Sequence, residues 1–160
     1  MPIPEKIYQA ICHLELFSEQ FVSQVMDLTE QINQQLPLPN PGHPEMSCLW
    51  SELLDTLKQY EETVTEAVAE TVHVHLPKAL SAACAANANK VTHTLLKAKQ
   101  CLDDADNDSL DLTSDLMELM EQPNQQQFCP TLLHIEDFTT EALYDLGLSL
   151  DDIVNQVHYK

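Results

Sequence analysis

The sequence predicts an all-α protein, an antiparallel bundle of three long helices over about 4–36, 44–75 and 77–102, with a short fourth helix and a two-helix C-terminal tail. Three observations predict it. Apolar residues recur at alternating spacings of three and four over long stretches, the period of an amphipathic helix. Two glycines against nine prolines in 160 residues describe long elements with abrupt ends rather than many tight turns. Residues 71–102 contain none of the 26 acidic residues and carry Lys78, Lys90, Lys97 and Lys99. They are also rich in alanine (Ala79, Ala82, Ala83, Ala86, Ala88), which suits a helix in the middle of a bundle wrapped by acidic neighbours.

The first element is the clearest. Ile7, Ile11, Leu14, Val25, Leu28 and Ile32, with Phe21 between, form one stripe once Ser18 is admitted to it. Pro4 fits the first turn, and Glu5 sits at the positive end of the helix dipole. Residues 36–44 hold Pro37, Pro39, Pro41 and Pro44, which remove backbone donors and favour extended neighbours, so this stretch is a stiff connector. Pro44 opens a second helix with the stripe Met46, Trp50, Leu53, Leu57, Tyr60, Val64 and Ala67, predicting a long antiparallel hairpin with the first. Pro77, which cannot donate to residue 73 and clashes with its carbonyl, is expected to end or kink this helix.

The polar run DDADNDS, residues 103–109, reads as a break after the third helix. A short fourth helix follows with Leu112, Leu116, Leu119 and Met120 on one face, and 122–130 reads as a polar loop. In the tail, Thr139 or Thr140 caps a helix to Leu146, Gly147 stops it, and Ser149 with Asp152 starts the last one. The domain organisation predicted is a helical core over 1–122, with 123–160 as a linker and C-terminal helical hairpin packed on it. Truncation after Gln122 is then expected to leave a cooperative helical core.

Charge excludes whole classes of function. Arginine is absent, and the net charge of -19 with a pI near 4.3 leaves no surface for nucleic-acid phosphates, so direct nucleic-acid binding is not expected. The first residues lack a basic segment leading into an apolar run, and no stretch has the ~20 apolar residues needed to span a bilayer. The odd count of five cysteines (Cys12, Cys48, Cys84, Cys101, Cys129) fits a reducing cytosol. The expectation is a soluble, cytoplasmic protein.

Candidate chemistry is sparse. Asp104, Asp106, Asp108 and Asp115 stand at positions 1, 3, 5 and 12 of a twelve-residue stretch that resembles an EF-hand loop. The resemblance implies calcium, a metal site on those four carboxylates, and helices on either side. Ser109 replaces the glycine of the sharp turn, and Asp115 replaces the bidentate glutamate. Glu70 and His73, with Glu66 beside them, have the E-x-x-H spacing of carboxylate-bridged di-metal bundles, but the second such motif those sites need does not occur. Cys129 and His134 share a loop region without an orienting acid or a glycine turn for oxyanion donors, and no phosphate-cradling glycine loop exists. Residues 144–154 lack the aspartate that acyl carrier proteins place directly before the serine, here Ser149. No catalytic constellation is present, and neither enzyme activity nor a cofactor is expected.

The acidic surface remains. It predicts a protein-binding module that docks a basic protein partner, as an adaptor, secretion-type chaperone or inhibitor. The carboxylates singled out for that face are Glu61, Glu62, Glu66, Glu70, Asp111, Asp115 and Glu118. A nucleic-acid mimic that blocks a DNA- or RNA-binding protein is the alternative, and a calcium-binding helical protein a third. Tyr8, Val22, Phe128 and Tyr144 stand as open candidates for apolar anchors or core, and Phe17 as core.

Overall fold

The computed structural model describes residues 2–35, 44–122 and 125–158, the side chains of 44–49 excepted. Among them there is no strand. The helices are α1 (Ile3–Gln34), α2 (Pro44–Glu70), a π-helical segment (Thr71–His75), α3 (Leu76–Cys84), α4 (Ala88–Leu119) and α5 (Cys129–His158), with a short 3-10 turn at Gln126–Phe128. Because Glu70, His75 and Leu76 all keep right-handed helical dihedrals, α2, the π segment and α3 run on as one rod. The molecule is therefore a bundle of four long rods, and the all-α class that the periodicity predicts is the observed one.

Each rod packs against two neighbours, α1 and α4 both touching α5 and the α2/π/α3 rod. Adjacent rods are antiparallel, since along α4 and α5 Lys99 meets Asp151 while Asp106 meets Thr140. Diagonal rods run parallel, and side chains cross the core between them: Trp50 stands edge-on to Phe128 at 6.0 Å, and Tyr60 reaches Thr139. One continuous cluster of buried side chains draws on every rod.

The core registers correct the predicted stripes in detail. On α1 the buried positions are Ile7, Ala10, Leu14, Phe17, Phe21, Val25, Leu28 and Ile32. Phe17 therefore takes the place the periodicity assigns to Ser18, and Ala10 that of Ile11, which is half-buried. Phe17 stacks on Phe138 at 5.5 Å, and an aromatic ring there fills volume that a serine would leave open. On α2, Val68 rather than Ala67 continues the stripe. The Pro-rich connector over 36–43 and the Met46 side chain lie outside the described residues. Tyr8 and Tyr144 are exposed, Val22 is half-buried, and Phe128 is core.

Pro77 does not end the rod. The turn before it widens into a π turn closed by Leu76 N–H on the Thr71 carbonyl, and Pro77 then occupies the first turn of α3. The π turn has already shifted the backbone pairing by one residue there, so the proline falls where the α-helical ladder is interrupted. The break lies instead at Ala85–Asn87, so the predicted third helix over 77–102 is divided between α3 and α4. Ala86 adopts a left-handed φ of 57°, and Asn87 N–H closes the terminus onto the Ala82 carbonyl at 2.9 Å. Asn87 also caps α4, its side-chain oxygen accepting from Lys90 N–H at 3.2 Å. The acid-free segment 71–102 is thus the hairpin tip of the bundle rather than its central helix.

The DDADNDS run does not break α4, which passes straight through it to Leu119. Its inward positions are Ala105, Ser109 and Thr113, small or hydroxylated side chains that satisfy themselves on their own helix, Thr113 Oγ1 donating to the Ser109 carbonyl at 2.7 Å. The tail is likewise one helix. Gly147 is buried mid-helix, and Ser149 bonds back to the Asp145 carbonyl at 3.1 Å rather than capping a new start. Leu132, Ile135, Leu143 and Leu150 of α5 are buried in the same cluster as the rest.

Candidate functional site

Two grooves run along the α2/π/α3 rod. The first lies between it and α1, a cavity of about 770 Å³. Val22, Val68 and Val72 give it apolar lining, with Met26 half in solvent beside them. Glu15, Glu19, Asp27 and Glu30 line it from α1, one face at helical spacing. His73 closes one end, and neither lysine nor arginine lines it.

The second groove, about 580 Å³, lies between the same rod and α4. Here the π turn has a direct effect. In an α-helix residues five apart point ~140° away from one another, whereas a π turn stacks them. Glu70 and His75 are stacked in this way, with Oε1 and Nε2 3.4 Å apart. From α4, Cys101 Sγ approaches Glu70 Oε2 at 3.5 Å and the Ala67 carbonyl at 3.6 Å, the latter also accepting from Thr71 Oγ1 at 2.9 Å. Burial pushes the Cys101 thiol up, and the charges of Glu70 and Asp104 add to this. The thiol faces the Glu70 carboxylate, and the His75 imidazole lies within 4.8 Å of the sulfur.

The carboxylates singled out in the sequence are dispersed. Glu66 and Glu70 line the α2/α4 groove with Asp104 and Asp108, Glu62 is exposed, Glu61 is half-buried, and Asp111, Asp115 and Glu118 project from the last third of α4. The calcium loop is not formed. Asp104 and Asp115 are eleven residues apart on a continuous helix, roughly 16 Å at about 1.5 Å per residue, too far to share a cation. Asp106 turns toward α5 instead and accepts from Thr140 Oγ1 at 3.1 Å. The E-x-x-H pairing of Glu70 with His73 is also not made, because the π turn sends His73 to the α1 groove and brings His75 to Glu70. Cys129 is half-buried at the start of α5 and His134 exposed, five residues on along an α-helix and so on another face.

Four residues that line the α1 groove, Glu15, Glu19, Asp27 and Glu30, were not among the predicted binding carboxylates. Their three-four spacing was available, but that they face an apolar floor depends on how α1 packs. No family model matches this chain, and neither a curated protein nor a solved structure gives a match. Among the described residues no helix is long and apolar enough to cross a membrane.

Proposed function

We propose that this bundle is a docking protein without catalytic chemistry of its own, which receives a basic amphipathic helix of another protein along the groove between α1 and α2. The observation that carries this reading is the pairing of an apolar floor (Val22, Val68, Val72) with four carboxylates on one wall and no cation among the lining residues. An amphipathic helix lays its apolar face into such a groove, and lysines or arginines on its flank meet the acidic wall. The net charge of -19 speeds the encounter of such a partner, and the floor holds it. An adaptor, a secretion-type chaperone and an inhibitor would share this contact and differ only in what it prevents or permits. A reducing, cytosolic setting belongs to the same reading, since the thiols of Cys12, Cys84, Cys101 and Cys129 are unpaired.

The test is affinity capture from nuclease-treated native lysate, washed at low and then at high salt, with wild type, Met26→Asp and Glu19→Lys. Salt removes contacts between exposed charges and spares packed apolar ones. One stoichiometric protein that survives high salt and is lost from Met26→Asp supports the reading, and Glu19→Lys should slow its association. A set of nucleic-acid-binding proteins released by salt from all three would replace it with nucleic-acid mimicry.

A further inference from the structure

We infer that Glu70, His75 and Cys101 form a binding site for a zinc-type divalent transition metal, which staples the π segment to α4. The inference is independent of the docking groove and lies on the opposite side of the rod. It begins from distances. One ligand atom from each residue lies within 4.8 Å of the others, with Glu70 Oε1 3.4 Å from the imidazole and Glu70 Oε2 3.5 Å from the sulfur. A tetrahedral ion with bonds of about 2.0–2.1 Å to nitrogen or oxygen and about 2.3 Å to sulfur separates its ligand atoms by roughly 3.4–3.6 Å. The imidazole and the sulfur each stand at that spacing from one of the two Glu70 oxygens, and the whole cluster lies within 4.8 Å, so binding draws one Glu70 oxygen toward both.

The donor set selects the class of metal. One thiolate, one imidazole and one carboxylate suit zinc and its neighbours, whereas calcium and magnesium take oxygen ligands. Three protein ligands leave a fourth position for water or for Asp104, which lies one turn beyond Cys101 and lines the same groove. Glu66 and Asp108 add negative charge around it, and Lys97 is the one lysine among the lining residues. Binding replaces the thiol proton with the metal–sulfur bond and releases that proton to solvent, with no change of oxidation state.

The π turn gives this arrangement its specificity. It stacks Glu70 on His75 and turns His73 away, so two histidines only two residues apart play different parts. Such one-turn widenings occur often at functional sites.

The experiment titrates the full-length, reduced apo chain with Co²⁺ as a spectroscopic probe and then displaces it with Zn²⁺, alongside thermal melting with and without Zn²⁺. Expected are one equivalent of Co²⁺, a thiolate-to-cobalt charge-transfer band with intense tetrahedral ligand-field bands, and a rise in melting temperature with Zn²⁺. Cys101→Ser should abolish the charge-transfer band and the rise. His75→Ala and Glu70→Gln, both at partly exposed positions, should each weaken binding about tenfold or more, whereas His73→Ala should leave it unchanged. No charge-transfer band in wild type, a band that persists in Cys101→Ser, or affinity that follows His73 rather than His75 would overturn the assignment.

Discussion

Tyr60 Oη donates to Thr139 Oγ1 at 3.4 Å across the centre of the bundle, joining two diagonal rods that also meet where Trp50 stands edge-on to Phe128. The same ring meets Phe21 edge-on with centroids 5.5 Å apart. Burial is the main cause that pushes its phenol up, from 10.0 to about 12. A polar group there is tolerable because it is partnered.

Tyr60→Phe should keep the fold and cost about 1 kcal/mol at neutral pH, the net worth of one buried hydrogen bond. Its effect on alkaline stability has the opposite sense. With the folded value above the unfolded one, the phenol's contribution is fully present below pH 10 and is lost as pH rises to about 12. Urea titrations between those limits should therefore fall less steeply for Tyr60→Phe than for wild type. Equal slopes would show that Tyr60 does not govern alkaline unfolding.

Asp106 and Glu136 are each pushed up chiefly by burial; Asp103 adds to the first, while Asp137 and Asp106 add to the second. Raised carboxylates contribute stability that is complete below their unfolded values and is lost as pH rises through the folded ones. At neutral pH both are therefore a burden. Asp106→Asn, which keeps an acceptor for Thr140, and Glu136→Gln should raise the melting temperature at pH 7. Because the two charges repel each other, the double variant should gain less than the sum of the single gains. Calorimetry repeated near ~pH 4 should find the gain much reduced, and a gain independent of pH would refute the electrostatic cause.

Ala86 pays for the turn between α3 and α4 with a left-handed backbone at φ 57°. Ala86→Gly should stabilise the protein by about 0.5–1 kcal/mol, since glycine adopts that conformation without the steric cost a side chain carries. Chemical denaturation with an unchanged slope and a higher midpoint is the expected record.

Truncation after Gln122 should abolish cooperative folding. It removes Leu132, Ile135, Leu143, Leu146 and Leu150 from the core and uncovers faces of both α1 and α4. Each buried leucine or isoleucine contributes roughly 1.5–3 kcal/mol by burial, so the loss exceeds the 5–15 kcal/mol of an ordinary domain's stability when the contacts on the other rods are counted. A sharp thermal transition in the truncated chain would instead establish 1–122 as an independent core.

The sequence made α1 and most of α2 legible because Leu, Ile, Val and aromatic residues line their inner faces at helical spacing. It hid the continuity of α4 between Leu102 and the helix read from Leu112 onward, because Ala105, Ser109 and Thr113 face inward there and leave no apolar stripe to detect. The α3/α4 turn was equally silent, since neither glycine nor proline marks Ala86. Of the metal cluster, Glu70 was visible as a candidate, but its partners were not. His75 reaches it through a five-residue spacing that only a π turn makes close, and Cys101 comes from another helix, 31 residues away.

The π segment also behaves as an insertion of one residue. Because it absorbs that residue locally, Val64 and Val68 before it and Leu76 and Ala79 after it all remain in phase with the core. A deletion elsewhere in the rod would rotate everything beyond it by about 100° and turn half the stripe to solvent. A deletion within 71–75 preserves the phase, but it places Pro77 inside an uninterrupted α-helix at a cost of about 3 kcal/mol. A chain one residue shorter at this point is thus compatible with the bundle when the proline is replaced along with it, which couples a length change to a substitution.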